Sequence, residues 1–315
     1  MFFAYYDFKR FRYIHEEMMN SGLFVFSGPE KIRKTGCFYG EKINVYIDTS
    51  DGVNEDLEIN EYCGRIIRVI EDSAGKPFLF FKAAYSFEKS KSIVDLAEKN
   101  NGKVIPFFKW SFNDDFYSYL LPNKDSLRQE SSKIKKAYDV GIFAGLKEYE
   151  YPKPNIKNKL VAWSDYRNFG LGTPEDTGYF QINSRKKLFS EIKSSNLKLF
   201  QVDKISYKDY INKSLECATI LNPPGMGEYT SRMVDQGVLG KCIVLRKTSY
   251  DQGHSWKNYI PEVDFNSEEW ILEYQKIIDD SEEWAEKCKY YFENFWTPNA
   301  IVDYLIDNIE KNIWK

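Results

Sequence analysis

One stretch constrains the fold of this chain more than any other. A short apolar run, Ala218 to Leu221, breaks into the Pro/Gly loop Asn222-Pro223-Pro224-Gly225-Met226-Gly227. An amphipathic segment, Glu228 to Val238, follows, and a second apolar run, Cys242 to Leu245, comes directly after Gly240. The pattern reads as strand, loop, helix and strand. At 100° per residue, Glu228, Ser231, Arg232 and Asp235 fall within about 100° of arc, while Tyr229, Met233, Val234, Gly237 and Val238 take the remaining circumference. A helix whose N-terminus follows a glycine-rich turn at the carboxyl end of a strand is where α/β sheets hold ligands, and its free N–H groups attract phosphate. An ordinary solvated face would also explain four polar residues on a helix.

Alternation of the same two periods extends along the chain. Strand-like Phe2 to Tyr6, helix-like Lys9 to Met19 and strand-like Leu23 to Phe26 open it. Strand Ile43 to Ile47 runs into the acidic loop Asp48-Thr49-Ser50-Asp51-Gly52, then helix Glu61 to Glu71, strand Phe78 to Phe81, helix Ser90 to Lys99 and strand Val104 to Phe108. This order implies a parallel sheet flanked by helices. The chain turns polar from Pro122 to Lys136, and Asp139 to Gly145 then reads as a fresh buried strand ending in glycine. A long irregular stretch, Lys147 to Asn183, precedes helix Ser184 to Lys193, strand Leu197 to Val202 and helix Ser206 to Glu216. Three helical segments, Glu268 to Asp279, Glu282 to Phe292 and Asn299 to Ile313, complete the chain. The expected class is therefore α/β, two Rossmann-like doubly wound domains facing a cleft. Residues 1–135 form the first domain, 136–298 the second, and 299–315 a last helix that packs back on the first.

Composition narrows the function classes. Forty-four basic residues against 47 acidic ones leave a net charge of −3, which argues against a nucleic-acid partner. Five dispersed cysteines without a C-x-x-C pair point to reduced thiols in the cytoplasm, and they offer no zinc spacing. No apolar run approaches the ~20 residues of a membrane span. The apolar start, Met1 to Tyr6, ends too soon for a secretory signal.

The strand from Asp139 to Gly145, Arg185 at the start of the next helix, the Gly-rich loop and Arg232-Met233-Val234-Asp235 together resemble the C-terminal half of a GT-B glycosyltransferase. The exostosin-like group is the nearest in pattern: a Gly/Ser loop, an arginine, an acid three residues on, a small-residue helix end, then a strand like Gly240-Lys241-Cys242-Ile243-Val244-Leu245. The resemblance covers roughly residues 138 to 260. The family acid is usually glutamate, whereas here it is Asp235, one methylene shorter. In its small size and Lys/Asn-rich style the chain also resembles glycosyltransferases encoded by large DNA viruses.

Glycosyl transfer needs a grip on the nucleotide, neutralisation of the departing diphosphate, and a base for the acceptor hydroxyl. The sequence has no Asp-x-Asp pair of the kind that holds a divalent cation, so cationic side chains and helix N-termini are left to neutralise charge. The resemblance gives this role to Arg232 and Arg185; an exposed helix residue beside two lysines is the other reading of Arg185. By the same resemblance Asp235 accepts the ribose hydroxyls, against a plain ion pair with Arg232. Gly225 and Gly227 let the backbone approach the ligand. Glu228 binds a donor hydroxyl or complements the helix dipole. Tyr229 shares its turn, and Ser231 donates to a phosphate oxygen or is merely solvated. The base is expected at a strand's carboxyl end in the first domain. Asp51, beside Gly52, and Asp48 fit, with Asp114 and Asp115 as rivals and an acidic turn as the plain alternative for each. His254 and Trp256, in the loop after Leu245, are placed toward the cleft, where the indole can stack on a sugar or base; a loop histidine without a role is the alternative.

The resulting expectation is an inverting, metal-independent hexosyl- or pentosyltransferase. It needs no cofactor beyond a UDP- or GDP-sugar co-substrate, and it acts on a glycan acceptor. The alternatives are a non-catalytic two-lobe nucleotide- or sugar-binding protein and a nucleotide-sugar epimerase or hydrolase on the same scaffold.

Overall fold

A computed structural model describes residues 1–32, 35–48, 58–83, 85–86, 90–108, 114–143, 187–202, 205–222, 231–247, 250–251, 254, 256–265 and 267–313. The chain is a mixed α/β protein that divides into two compact units. Unit 1 comprises Met1–Ser111, Ser249–Ser255 and Asn294–Lys315; unit 2 comprises Phe112–Thr248 and Trp256–Glu293. The polar stretch from Pro122 thus lies inside unit 2, where it forms a helix, Leu121–Lys133.

Unit 1 is built on a six-stranded sheet. Its strands are β1 (Phe2–Tyr5), β2 (Phe24–Gly28), β3 (Thr35–Gly40), β4 (Asn44–Asp48), β5 (Phe78–Ala83) and β7 (Gly102–Phe107), in the order β2-β1-β3-β4-β5-β7. Five of them run parallel. The sixth, β3, is antiparallel to both of its neighbours and forms a hairpin with β4 in which Thr35 faces Asp48 and Tyr39 faces Asn44. The all-parallel expectation is corrected here, and the missed strand is β3. Its two glycines hid it, because glycine weakens a strand signal. Both are needed for packing: a Cβ at Gly36 would lie 2.5 Å from the Phe11 ring, and one at Gly40 would lie 2.5 Å from the Phe2 ring.

Helix α1 (Phe8–Asn20) starts at Asp7, whose carboxylate accepts the Lys9 N–H at 3.0 Å. Its buried stripe, Phe11, Ile14 and Met18, follows the helical period. The last helix of the chain (Pro298–Ile313) packs against α1 within the same unit. The contact includes a 2.7 Å hydrogen bond from the Tyr13 hydroxyl to the Trp296 carbonyl, just ahead of that helix. Short strand β12 (Tyr250–Asp251) returns to this unit and pairs with β6 (Tyr85–Ser86).

Unit 2 carries a five-stranded sheet in which every pairing is parallel. The strands are β8 (Tyr138–Ile142), β9 (Leu199–Gln201), β10 (Cys217–Leu221), β11 (Cys242–Arg246) and β13 (Glu262–Val263), in the order β9-β8-β10-β11-β13. Ranked by chain position this is 2-1-3-4-5, a doubly wound order. Val140, Ile142, Leu221 and Val244 pack with Ile192, Trp270 and Tyr274 in its core. The two-residue strand β13 was not legible in the sequence.

Candidate functional site

In a 2-1-3-4-5 sheet the chain leaves the first strand toward one side and the third toward the other, so a crevice opens beyond their carboxyl ends. Here that point lies between β8 and β10. Phe143 follows β8, Asn222 follows β10, and the helix Ser231–Val238 is the next described element of the chain. Phe143, Asn222 and Arg232 line a small pocket of about 10 Å³ there, with Ile220, Met233 and Ile243 on its apolar walls. The Arg232 guanidinium donates through Nη1 to the Phe143 carbonyl, which joins the first turn of the helix to the end of β8. The glycine-loop helix of the sequence therefore stands at the switch point.

The middle of the helix has no solvated side. Residues 233–237 are all buried. Gly237 is the contact point on one flank, where a Cβ would come 2.1 Å from the Phe292 ring. Gly240 ends the helix at φ +67° with a Schellman pair, its N–H donating to the Gly237 carbonyl at 2.9 Å and the Lys241 N–H to the Gln236 carbonyl at 3.0 Å. Helix–helix packing and helix termination thus account for these two glycines.

Asp235 is 3% exposed. The hydroxyl of Tyr207, the first residue of helix Tyr207–Leu215, donates to its Oδ1 at 2.9 Å. Burial pushes the carboxyl up to about 7; hydrogen bonds from Tyr207 and Tyr210 and the charge of Arg232 act in the opposite sense. The buried Gln236 donates to the Tyr210 hydroxyl at 2.8 Å, which extends the network. Tyr207 and Tyr210 were missed in the sequence. Their only signal was the pattern Ser206-Tyr207-Lys208-Asp209-Tyr210, where Ser206 caps the helix and its two tyrosines lie one turn apart.

The other expected site residues are dispersed. Asp48 ends β4 in unit 1, 1% exposed, and its Oδ1 accepts from the buried Arg65 at 2.8 Å. Lys82, its register partner on β5, is fully buried as well. A carboxylate shielded from solvent and bound to a guanidinium is poorly placed to take a proton from an incoming hydroxyl. Asp114 and Asp115 are exposed and lie in unit 2, where the charge of Asp115 acts on Tyr207.

His254 and Trp256, two residues apart, part company. His254 belongs to unit 1, its ring centroid 4.6 Å from that of Phe295 and 5.0 Å from that of Tyr304. Trp256 is 1% exposed in unit 2, and its indole N–H donates to Glu262 at 3.1 Å, so the ring offers no face for stacking on a sugar or base. Asp51, Arg185, Gly225, Gly227, Glu228 and Tyr229 lie outside the described residues, as does the side chain of Ser231. Among the described residues, no three His, Cys, Asp or Glu side chains converge as a metal site, and no helix is long and apolar enough to cross a membrane.

No protein-family model and no curated protein matches the chain. Among solved structures, a glycosyltransferase from Rickettsia africae ESF-5 is similar over 82% of this chain and 82% of its own, at 11% identity and a TM-score of 0.30. Similarity at that level establishes neither a shared fold nor an activity. What the residues themselves define is an α/β protein of two units, one with an arginine-lined crevice at its switch point.

Proposed function

We propose that this chain is a glycosyltransferase of GT-B type. In this reading it moves a sugar from a nucleotide-sugar donor to a hydroxyl of a glycan acceptor. Unit 2 holds the donor and unit 1 the acceptor. One observation carries the reading: the Arg232 guanidinium lines the crevice at the β8/β10 switch point, on the first turn of a helix whose dipole has the same sign. As the bond to the sugar breaks, negative charge grows on the leaving diphosphate. A guanidinium and helix N–H groups already aimed at that place stabilise it without reorganisation.

Asp235 enters this scheme through exchange, a ribose hydroxyl taking the place of the Tyr207 hydroxyl on its carboxylate. Gly225, Gly227, Glu228, Tyr229, Ser231 and Arg185 complete the donor site. Since Arg65 engages Asp48, the base role falls to Asp51.

Titration calorimetry with UDP and GDP tests the proposal, together with release of nucleoside diphosphate from their sugars. Loss of one charge-assisted contact costs about 1.5–3 kcal/mol, so Arg232→Ala should weaken diphosphate binding about 10- to 100-fold while the far-UV spectrum stays unchanged. Equal affinity in the variant would refute the site. Tight binding by the wild type without any diphosphate release would leave a binding protein instead.

A further inference from the structure

The edge of the unit 1 sheet carries an unusual surface. Strand β2 has β1 as its only strand neighbour among the described residues. The Phe2 N–H donates to the Leu23 carbonyl at 2.7 Å, and Phe2 and Phe3 stand in register with Phe24 and Val25. In a parallel ladder of that phase both backbone groups of Val25 face β1, and both groups of Phe24 and of Phe26 face outward. The outward edge bears neither a charged side chain nor a proline, two devices by which natural edges avoid pairing. The register irregularity at Ser27 limits the regular edge to its first three residues.

Side chains around this edge are apolar and exposed on both faces. Phe3 (52%) and Val25 (40%) share one face, while Phe26 (40%) lies on the face of α1, near Phe8 (49%). The His15 ring stands between these last two, 4.9 Å from Phe8 and 5.9 Å from Phe26. These four are half of the eight exposed large hydrophobics among the described residues. At roughly 150–250 Å² per large side chain they offer on the order of 350 Å². That is nearly half of the ~800 Å² that each partner contributes to a standard interface.

We propose that β2 pairs antiparallel with β2 of a second copy of this chain, about a twofold axis through Val25. An edge whose outward groups belong to Phe24 and Phe26 is self-complementary. Phe24 of one copy exchanges both backbone hydrogen bonds with Phe26 of the other, and the symmetry repeats the pair. The two Val25 residues then form a non-hydrogen-bonded pair, the arrangement in which facing side chains come closest. The two sheets become one, and Phe3 and Phe26 are covered on its opposite faces.

Sedimentation equilibrium on the full chain should give a dimer at micromolar concentration. Val25→Asp, which sets two carboxylates face to face across the axis, should give a monomer with unchanged circular dichroism. Val25→Cys should form an intermolecular disulfide under mild oxidation that the wild type does not form, since a pair at about 4.5 Å Cα separation suits an S–S bond. This second variant decides the matter if the aspartate variant does not fold. A monomeric wild type, a dimeric Val25→Asp variant, or a Val25→Cys variant that does not cross-link overturns the proposal. So does flotation of monomeric wild type with anionic phospholipid vesicles, which would assign the apolar edge to a bilayer.

Discussion

The two sheets share one plan and differ at one place. With β3 left out, the parallel strands of unit 1 run β2-β1-β4-β5-β7, which is also 2-1-3-4-5 by chain rank. In unit 2 the first and third strands are direct neighbours, and a crevice opens beyond their ends with Arg232 on its wall. In unit 1 an antiparallel strand occupies the switch point, and the charged groups nearby, Asp48, Arg65 and Lys82, are buried. The same winding thus carries an arginine-lined pocket in one unit and buried charges in the other. Strand order indicates where a site can form; what fills that position decides whether it does.

The largest test of this contrast is Asp48→Ala. Removing one partner of a buried ion pair takes this carboxylate from the Arg65 guanidinium, at a cost of about 3–5 kcal/mol. Urea unfolding should show that loss. A change below about 1 kcal/mol would mean the unit 1 charges are solvated, and the contrast with unit 2 would fail.

Asp235 sharpens the other side. Its folded pKa, about 7, stands above the ordinary carboxyl value of 3.8. The folded state therefore binds more protons between these values. The stability this contributes is complete below about pH 4 and is lost as pH rises through about 7, by about 4 kcal/mol in total. Asp235→Asn should flatten that part of the pH–stability curve. A slope identical to that of the wild type would show the carboxylate to be solvated.

Gly237→Ala should have a smaller effect, about 1–3 kcal/mol, because the new methyl group meets the Phe292 ring. The same change at the exposed Gly75 meets no atom within 4 Å, and its cost is confined to its φ of +82°. Melting of the two variants separates overpacking from backbone strain.

Much of unit 2 was legible because its signals are local. Apolar runs punctuated by Pro and Gly, and a helical period between them, are read within a dozen residues, and β8, β10 and β11 fall close to where those signals stand. Unit 1 was legible to the same degree except at β3, whose glycines answer to Phe11 and Phe2, and at the two-residue strands β6 and β12. The site was harder. An acid three residues after an arginine is a local pattern, but its burial depends on a tyrosine far upstream, Tyr207. His254 and Trp256 stand two residues apart in one loop of the sequence, yet Ser249–Ser255 belong to unit 1 and Trp256 to unit 2.

Read without coordinates, the residues already establish an α/β chain with a glycine-loop helix between two adjacent parallel strands. Hydrophobic period and turn chemistry act between near neighbours and need no partner to be read. It took the packed molecule to put Arg232 at a crevice, to engage Asp235 with Tyr207 and Asp48 with Arg65, and to make Trp256 part of the core. Whether a polar or aromatic side chain meets solvent, ligand or protein is settled by groups distant in the chain, because burial is a property of the packed whole.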